Sequence, residues 1–533
     1  MQNLRALLGD RLLCFLLACN SDIINSADPE LSDQQMEVHD KLQQICTHIS
    51  SAEEFHRRWA ISGILLEFHS AVGTTWANAC RSYCGGQIDY SPSPSDKCRE
   101  LLAVLARDLY PGFLLPERDD GFGMTVDPII SSATHNHPAR LDFCREILKD
   151  SSLKLLFPDQ DPRHIDDETR LYEMTSFLQF SNGSGRSFQL AGLAEHILRS
   201  AYSRLLFDST EAKPFSSHVD DVLQDVRTMA KGEPAAIPAI VRLSEIELPE
   251  GEEIRFEDAV LSPLSDAHRR LPSNQPSASA ILTTTAQTRL LEIRKWETFE
   301  RNLHDDHKKY ERQYEEWFRD FRDSVDLIRF AIICASTSDS YLAPKQVSAT
   351  FLDPFSPMPS SSESAMQFSM RRETVQSHQV EEIENWYKRL KAEPHTLKIA
   401  MRRILAATSE RIDPVDGFID AVMAWENMFS GTPETSLRVC GAISKLLEPS
   451  DIDRRRTLFA ELKRLYRLRS NLVHGADTEP SMREMLVHRD RAIEIALNSM
   501  REIYNHQGFP GEKSATRSDS ILLWTIEELE RRP

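Results

Sequence analysis

No stretch of this 533-residue chain approaches the roughly 18 consecutive apolar residues that a membrane-spanning helix requires, so no transmembrane segment and no membrane partner are expected. Positive charge is also in deficit: 63 lysines and arginines face 82 aspartates and glutamates, a formal net charge of −19. Nucleic-acid binding by the surface as a whole is thereby excluded, because phosphate contacts need clustered lysine and arginine, and any such site must be local. Cysteine is sparse. Nine residues, an odd number without regular spacing, do not make a disulfide framework and fit reduced thiols in the cytoplasm. The nearest approach to a metal cluster, Cys80, Cys84 and Cys98, lacks a matching second pair, and the nearest histidines, His135 and His137, lie far along the chain. These cysteines read as structural, and no metal or cofactor is expected. The segment FSNGSGRSF (180–188) has two glycines but neither the lysine nor the spacing of a phosphate-binding P-loop, and reads as a plain loop between two helical runs.

What is present is ordinary globular composition, 41% hydrophobic and 27% charged, spread over a chain long enough for about three units. The pattern predicts a mainly α, multidomain protein. Residues 1–230 read as a helical domain of sensing or regulatory character. At its start LLCFLLAC (12–19) resembles a bacterial lipoprotein cleavage box, but Leu4, Leu7, Leu8, Leu12, Phe15, Leu16 and Cys19 fall on one face of a helix, which favours packing. Residues 231–342 read as a small β-element followed by a long amphipathic helix. Short alternating runs surround a Pro249-Glu250-Gly251 turn, AILTTT adds a strand, and Trp296, Phe299, Leu303, Tyr310, Tyr314, Trp317 and Phe321 then recur at helical spacing as a packing seam. Residues 343–379 have the proline and serine content of a linker, 380–508 read as a compact helical bundle, and 509–533 as a flexible tail with a last short helix.

The positive charge that the chain as a whole lacks is concentrated in one helix. Between residues 451 and 474 stand seven basic side chains (Arg454, Arg455, Arg456, Lys463, Arg464, Arg467, Arg469) and three acidic ones (Asp451, Asp453, Glu461), a local net of +4. Leu458, Leu462, Leu465 and Leu472 supply a stripe for burial, whereas Lys463, Arg467, Ser470, Asn471 and His474 share another face. Gly475 stands where a left-handed cap ends a helix, which sets the His474 imidazole at the negative end of the helix dipole. An imidazole can move a proton from a ribose 2′-hydroxyl or to a leaving oxygen, and a guanidinium can hold phosphate oxygens, so the pair suits RNA cleavage without a metal. Arg469 and His474 are nevertheless about 140° apart around an ideal helix, and converge only if the helix is distorted or a second subunit completes the pocket. The other reading of the same residues is a basic surface helix whose histidine caps its own carbonyls.

Arg469-Ser470-Asn471-Leu472-Val473-His474 resembles the R-x4-6-H motif of HEPN domains, and Leu465-Tyr466-x-x-Arg469-Ser470-x-x-Val473-His474-Gly475 is similar to the LYxxRSxxVHG form of the ApeA-like HEPN group. DGFIDAVMAWENMFSG (416–431), with Glu426 in the position of that group's LE-x-LF segment, SLRVCGAISKLL and RAIEIALNSMREIY resemble its flanking helices, so the likeness covers residues 380 to 506. The resemblance implies a helical bundle that dimerises with its motifs facing across the interface. In active members it implies a metal-independent endoribonuclease, with Arg469 and His474 catalytic and Ser470, Asn471, Tyr466 and Glu426 supporting. Lys463, Arg464 and Arg467 are then the expected RNA-binding side chains, and RNA, tRNA among the candidates, the expected substrate. Such proteins serve in anti-phage defence or toxin systems, so a phage-derived trigger or a regulatory protein is a further expected partner. One departure stands out: nuclease members often carry Asn, Asp or His directly after the arginine, where this chain has Ser470. The alternative function is a non-catalytic HEPN module that binds a nucleotide or a protein.

Overall fold

A computed structural model of the chain describes residues 2–26, 29–50, 52–92, 94–116, 128–158, 160–161, 163, 165, 168–207, 213–269, 278–295, 303–337, 342–356, 360–363, 372–392, 395–431, 434–475, 480–506 and 508–525. They form a mainly helical structure with small sheets; the elements used below are numbered in chain order. Helix α1 (Gln2–Leu17) buries Leu4, Leu8, Leu12 and Leu16, one per turn, against other helices of the amino-terminal region, so LLCFLLAC lies in a packed element. Gly9 breaks its regularity at φ 71°, a left-handed value that glycine adopts without steric cost. Helices α2 (Lys97–Phe113), α3 (Leu193–Phe207) and α4 (Phe215–Ala230) build a second cluster. Cys80 and Cys98 are buried in different clusters, and burial raises both thiol pKa values, that of Cys80 to about 12. Among the described residues no three His, Cys, Asp or Glu side chains are grouped to hold a metal ion.

The expected loop at 180–188 is instead part of an antiparallel hairpin, β1 (Thr175–Phe180) and β2 (Gly185–Gln189), so residues 1–230 are not wholly helical. Asn182 Oδ1 accepts from the Ser184 amide at 3.0 Å, and Gly183 supplies the left-handed residue of the turn. A six-stranded antiparallel sheet follows, in the order β9-β8-β3-β6-β5-β4: β3 (Ala235–Ser244), β4 (Ile254–Arg255), β5 (Val260–Pro263), β6 (Ala280–Thr288), β8 (Lys345–Phe351) and β9 (Ser360–Glu363). Strand β7 (Leu290–Lys295) leaves this sheet and pairs with β1, binding the middle of the chain to its amino-terminal half. The turn at Pro249 is present, with the Glu252 amide donating to the Pro249 carbonyl at 3.1 Å, but the runs beside it do not pair with each other. Ile246–Glu247 joins Glu373–Thr374 in a parallel pair, and β4 joins β5.

Strand β8 overturns part of the expected linker at 343–379. Val347, Ala349 and Phe351 are buried, and β8 is hydrogen-bonded on both sides, to β3 and β9, so it is an interior strand whose proline- and serine-rich neighbourhood begins only beyond it. Helix α5 (Leu303–Cys334) buries Tyr310, Tyr314 and Trp317 of the expected seam and packs Phe321 half-buried on the same core, and Val325 and Ile328 extend the buried face; Trp296, Phe299 and the Leu303 side chain lie outside what is described.

The carboxy-terminal bundle comprises α6 (Ser377–Ala392), α7 (Lys398–Leu405), α8 (Pro414–Phe429), α9 (Thr435–Leu447), α10 (Ile452–His474) and α11 (Met482–Asn505). Its core is continuous with the inner face of the large sheet and with α5, so the units expected at 231–342 and 380–508 share one hydrophobic interior. The expected flexible tail is also corrected: Phe509–Gly511 forms a 3₁₀ turn and α12 (Ser514–Leu523) packs on the bundle, with Phe509, Arg517, Ser518 and Ile521 buried. The physical reason is Arg517, whose guanidinium donates to the carbonyls of Phe509 at 2.8 Å and Met428 at 2.7 Å.

Candidate functional site

Helix α10 starts at an Asp451 cap, whose carboxylate accepts from the backbone amides of Asp453 and Arg454, and runs unbroken to His474. Gly475 closes it in the left-handed region at φ 78°, as the sequence predicts. Leu458, Leu462 and Leu465 are buried and Leu472 packs on the same core, which fixes the rotation of the helix. Lys463, Arg464, Arg467, Asn471 and His474 are exposed, whereas Tyr466, Arg469 and Ser470 are half-buried. The basic charges then divide. Arg454 and Arg456 pair with Asp451 and Asp453 at the first turn, and Arg455 donates to the Glu448 carbonyl at 2.9 Å. Lys463 extends over Phe459, and Arg464 and Arg467 form no ion pair among the described residues. These last three cations lie in the carboxy-terminal half of the helix and face solvent.

Helix α8 supplies the acid. Asp413 caps it, Trp425 is fully buried and donates its indole N–H to the Ala492 carbonyl of α11 at 3.1 Å, and the next residue, Glu426, is thereby turned toward α10. Its Oε1 accepts from the Tyr466 hydroxyl at 2.5 Å, and its Oε2 lies 3.5 Å from Arg469 Nη2. Burial, and then the negative charge of Glu426, raise the phenol pKa above its ordinary value, so Tyr466 is a donor throughout the neutral range. Arg469 makes no hydrogen bond among the described residues, and its Nε is enclosed without a partner. His474, five positions on, makes no hydrogen bond, ion pair or ring contact among the described residues.

Glu426, Tyr466 and Arg469 are therefore brought together in one cluster, and His474 is not. In a regular helix Arg469 and His474 diverge by about 140°, and here one faces α8 while the other faces solvent. Ser470 and Asn471 make no side-chain hydrogen bond among the described residues. A groove of about 660 Å³ runs along α10 and α11, but it borders Asp453 to Glu461 and Arg491 to Glu502, away from His474.

Sequence reading missed the apolar surface around the motif. Val473 is 48% exposed in the last turn of α10, and Met482, Leu486 and Val487 are 65%, 39% and 64% exposed in the first turns of α11. The signal was available: a capping box at Ser481 and Glu484 starts α11, and Met485 alone of that first stretch turns into the core. No family model matches the chain, nor does any curated protein or solved structure.

Proposed function

We propose that the bundle from α6 to α11 is a HEPN-type, metal-independent endoribonuclease that acts as an effector in anti-phage defence or a toxin-like system, governed by the regions amino-terminal to it. The observation that carries the reading is the state of the two motif side chains. His474 is exposed at a helix end and Arg469 is held near Glu426, and neither side chain makes a hydrogen bond among the described residues. In the proposed reaction a His474 imidazole takes the proton from a ribose 2′-hydroxyl, and the freed oxygen attacks the adjacent phosphorus. A second imidazole, from another copy of the chain, delivers a proton to the departing 5′-oxygen. Arg469 steadies the charge on the pentavalent phosphorane. The products are a 2′,3′-cyclic phosphate and a 5′-hydroxyl. A non-catalytic module remains the second reading because Ser470 occupies the position where nuclease members often carry Asn, Asp or His.

A dimer addresses the 140° divergence, since two copies pool their arginines and histidines in one cleft. Val473, Met482, Leu486 and Val487 supply the apolar area at that end of the bundle. The full chain is expected to sediment as a dimer at micromolar concentration, and Val487→Asp, which sets a carboxylate in the contact, should shift it to monomer. A wild-type monomer with unchanged sedimentation in the variant counts against this arrangement.

Incubation of the purified chain with total RNA and with tRNA, in the presence of a chelator, tests the activity. RNA binding should depend on salt despite the acidic whole, with a slope of roughly −0.7 per phosphate contact on single strands. Arg467→Glu should weaken binding and flatten the slope. Affinity that stays constant from low to high salt removes α10 as the phosphate-contacting surface.

A further inference from the structure

A carboxylate that faces an arginine across a helix pair ordinarily closes a two-pronged fork, with N···O distances of about 2.7–2.9 Å. The bundle contains such a fork: Arg491 donates to both oxygens of Glu461, at 3.1 and 2.9 Å. Glu426 and Arg469 have the same opportunity and do not take it. Their nearest approach is 3.5 Å and no hydrogen bond joins them, although both side chains are about four-fifths buried. The obstacle is one turn away on the same helix. Tyr466 and Arg469 are three residues apart and so share a face of α10, and the tyrosine hydroxyl occupies Glu426 Oε1 at 2.5 Å. Drawn toward the phenol at Oε1, the carboxylate is turned so that Oε2 is the oxygen nearest the guanidinium and the two-pronged geometry is not met.

We infer that Tyr466 is a positioning residue for Arg469: by holding one oxygen of Glu426 it prevents the fork from closing and keeps the guanidinium donors open to a phosphodiester. A buried guanidinium N–H without a partner is costly, since it is desolvated and unmet. The enclosed Arg469 Nε is the visible part of that cost. An oxyanion that enters the site meets terminal donors that no acceptor among the described residues has taken. The inference rests on the ribonuclease reading for the identity of the phosphodiester as RNA.

The test compares the full-length wild type with Tyr466→Phe and the double variant Tyr466→Phe/Glu426→Gln. Two quantities are read: single-turnover cleavage of an RNA oligonucleotide, and the Kd of its 2′-O-methyl counterpart, which lacks the attacking hydroxyl and cannot be cleaved. Phenylalanine keeps the ring packing and removes only the hydroxyl, so the fork should close, and both cleavage and affinity should fall roughly tenfold, the worth of one charge-assisted hydrogen bond. In the double variant the neutral amide no longer draws in Arg469, and both quantities should return to within about threefold of wild type. A purely structural tyrosine predicts a double variant at least as impaired as the single one, and that result overturns the inference. An unchanged Tyr466→Phe variant overturns it as well. Wild-type binding with the fall and recovery intact but no cleavage overturns the nuclease reading alone, and a wild type that neither binds nor cleaves overturns both.

Discussion

Replacement of His474 by alanine is expected to lower RNA cleavage by at least about 10²–10⁴-fold, the usual range for loss of a general acid or base, while the fold persists. The separation of these two effects follows from where the side chain stands. His474 is the last residue of α10, exposed, and makes no hydrogen bond, ion pair or ring contact among the described residues, so its removal leaves neither a cavity nor an orphaned donor. Only its favourable position at the negative end of the helix dipole is lost, and the unfolding midpoint should move by no more than about 2 °C. Arg469→Lys should also be severely impaired. A lysine keeps the charge, but as a point on a flexible stem it cannot reproduce the planar array of donors that a phosphorane needs. Single-turnover cleavage beside thermal unfolding of the same preparations checks both parts. If both variants are folded and retain full cleavage in the test tube and full protective or toxic activity in cells, the nuclease reading fails and the binding-module reading takes its place.

Arg517→Ala should act in the opposite way, through stability: a loss of about 3–5 kcal/mol is expected, the usual cost of breaking a buried charged network from one side. Arg517 is fully buried, and its guanidinium reaches the carbonyls of Phe509, Met428 and Glu512 and, more distantly, Pro510 and the Thr396 hydroxyl. Burial lowers its pKa to about 10, which still leaves it charged at neutral pH. Truncation to alanine removes every one of these donors and leaves a void beside the buried Phe509 and Met428. Lysine at 517 carries three donors on one nitrogen and cannot span acceptors that lie in different elements, so Arg517→Lys should recover only a minor part. Because Met428 is two residues after Glu426 on α8, loosening this anchor should also reduce activity before the chain unfolds. The urea midpoint of each variant at neutral pH measures the effect, and an alanine variant within about 1 kcal/mol of wild type would show that the anchor is unimportant.

The difference between these two residues shows what the sequence makes legible. The buried and exposed faces of α10 and its Gly475 stop were readable because helical period and a left-handed cap leave local marks. The hairpin at 175–189 and strand β8 were not. In β1 five of six residues are buried, and in β8 six of seven, so neither shows the alternation that reveals a half-buried strand. Arg517 and Ser518 look like solvent-facing tail residues until the carbonyls that meet the arginine are seen. Those carbonyls belong in part to a segment 89 positions away, and polarity in a sequence names a side chain but not its partner. The contact of Glu426 with Tyr466, 40 positions apart, lay beyond periodicity for the same reason, and the pair was marked only by resemblance.

Helix α5 has a consequence for how the gene can change. At 32 residues it is about 48 Å long, and it is fastened near both ends. Lys309 and Tyr310 hold Glu292 on strand β7, while Asp323 meets Lys398 and Arg402, and Arg329 meets Glu410 beside the bundle. A single codon inserted between Tyr314 and Asp323 would rotate one set of attachments by about 100° against the other, so that one of them must let go. Seven inserted codons nearly restore the angle but lengthen the strut by about 10 Å. Length variation among descendants of this chain should therefore collect in the surface loops and spare this helix, whose residue count is fixed by geometry at its two ends.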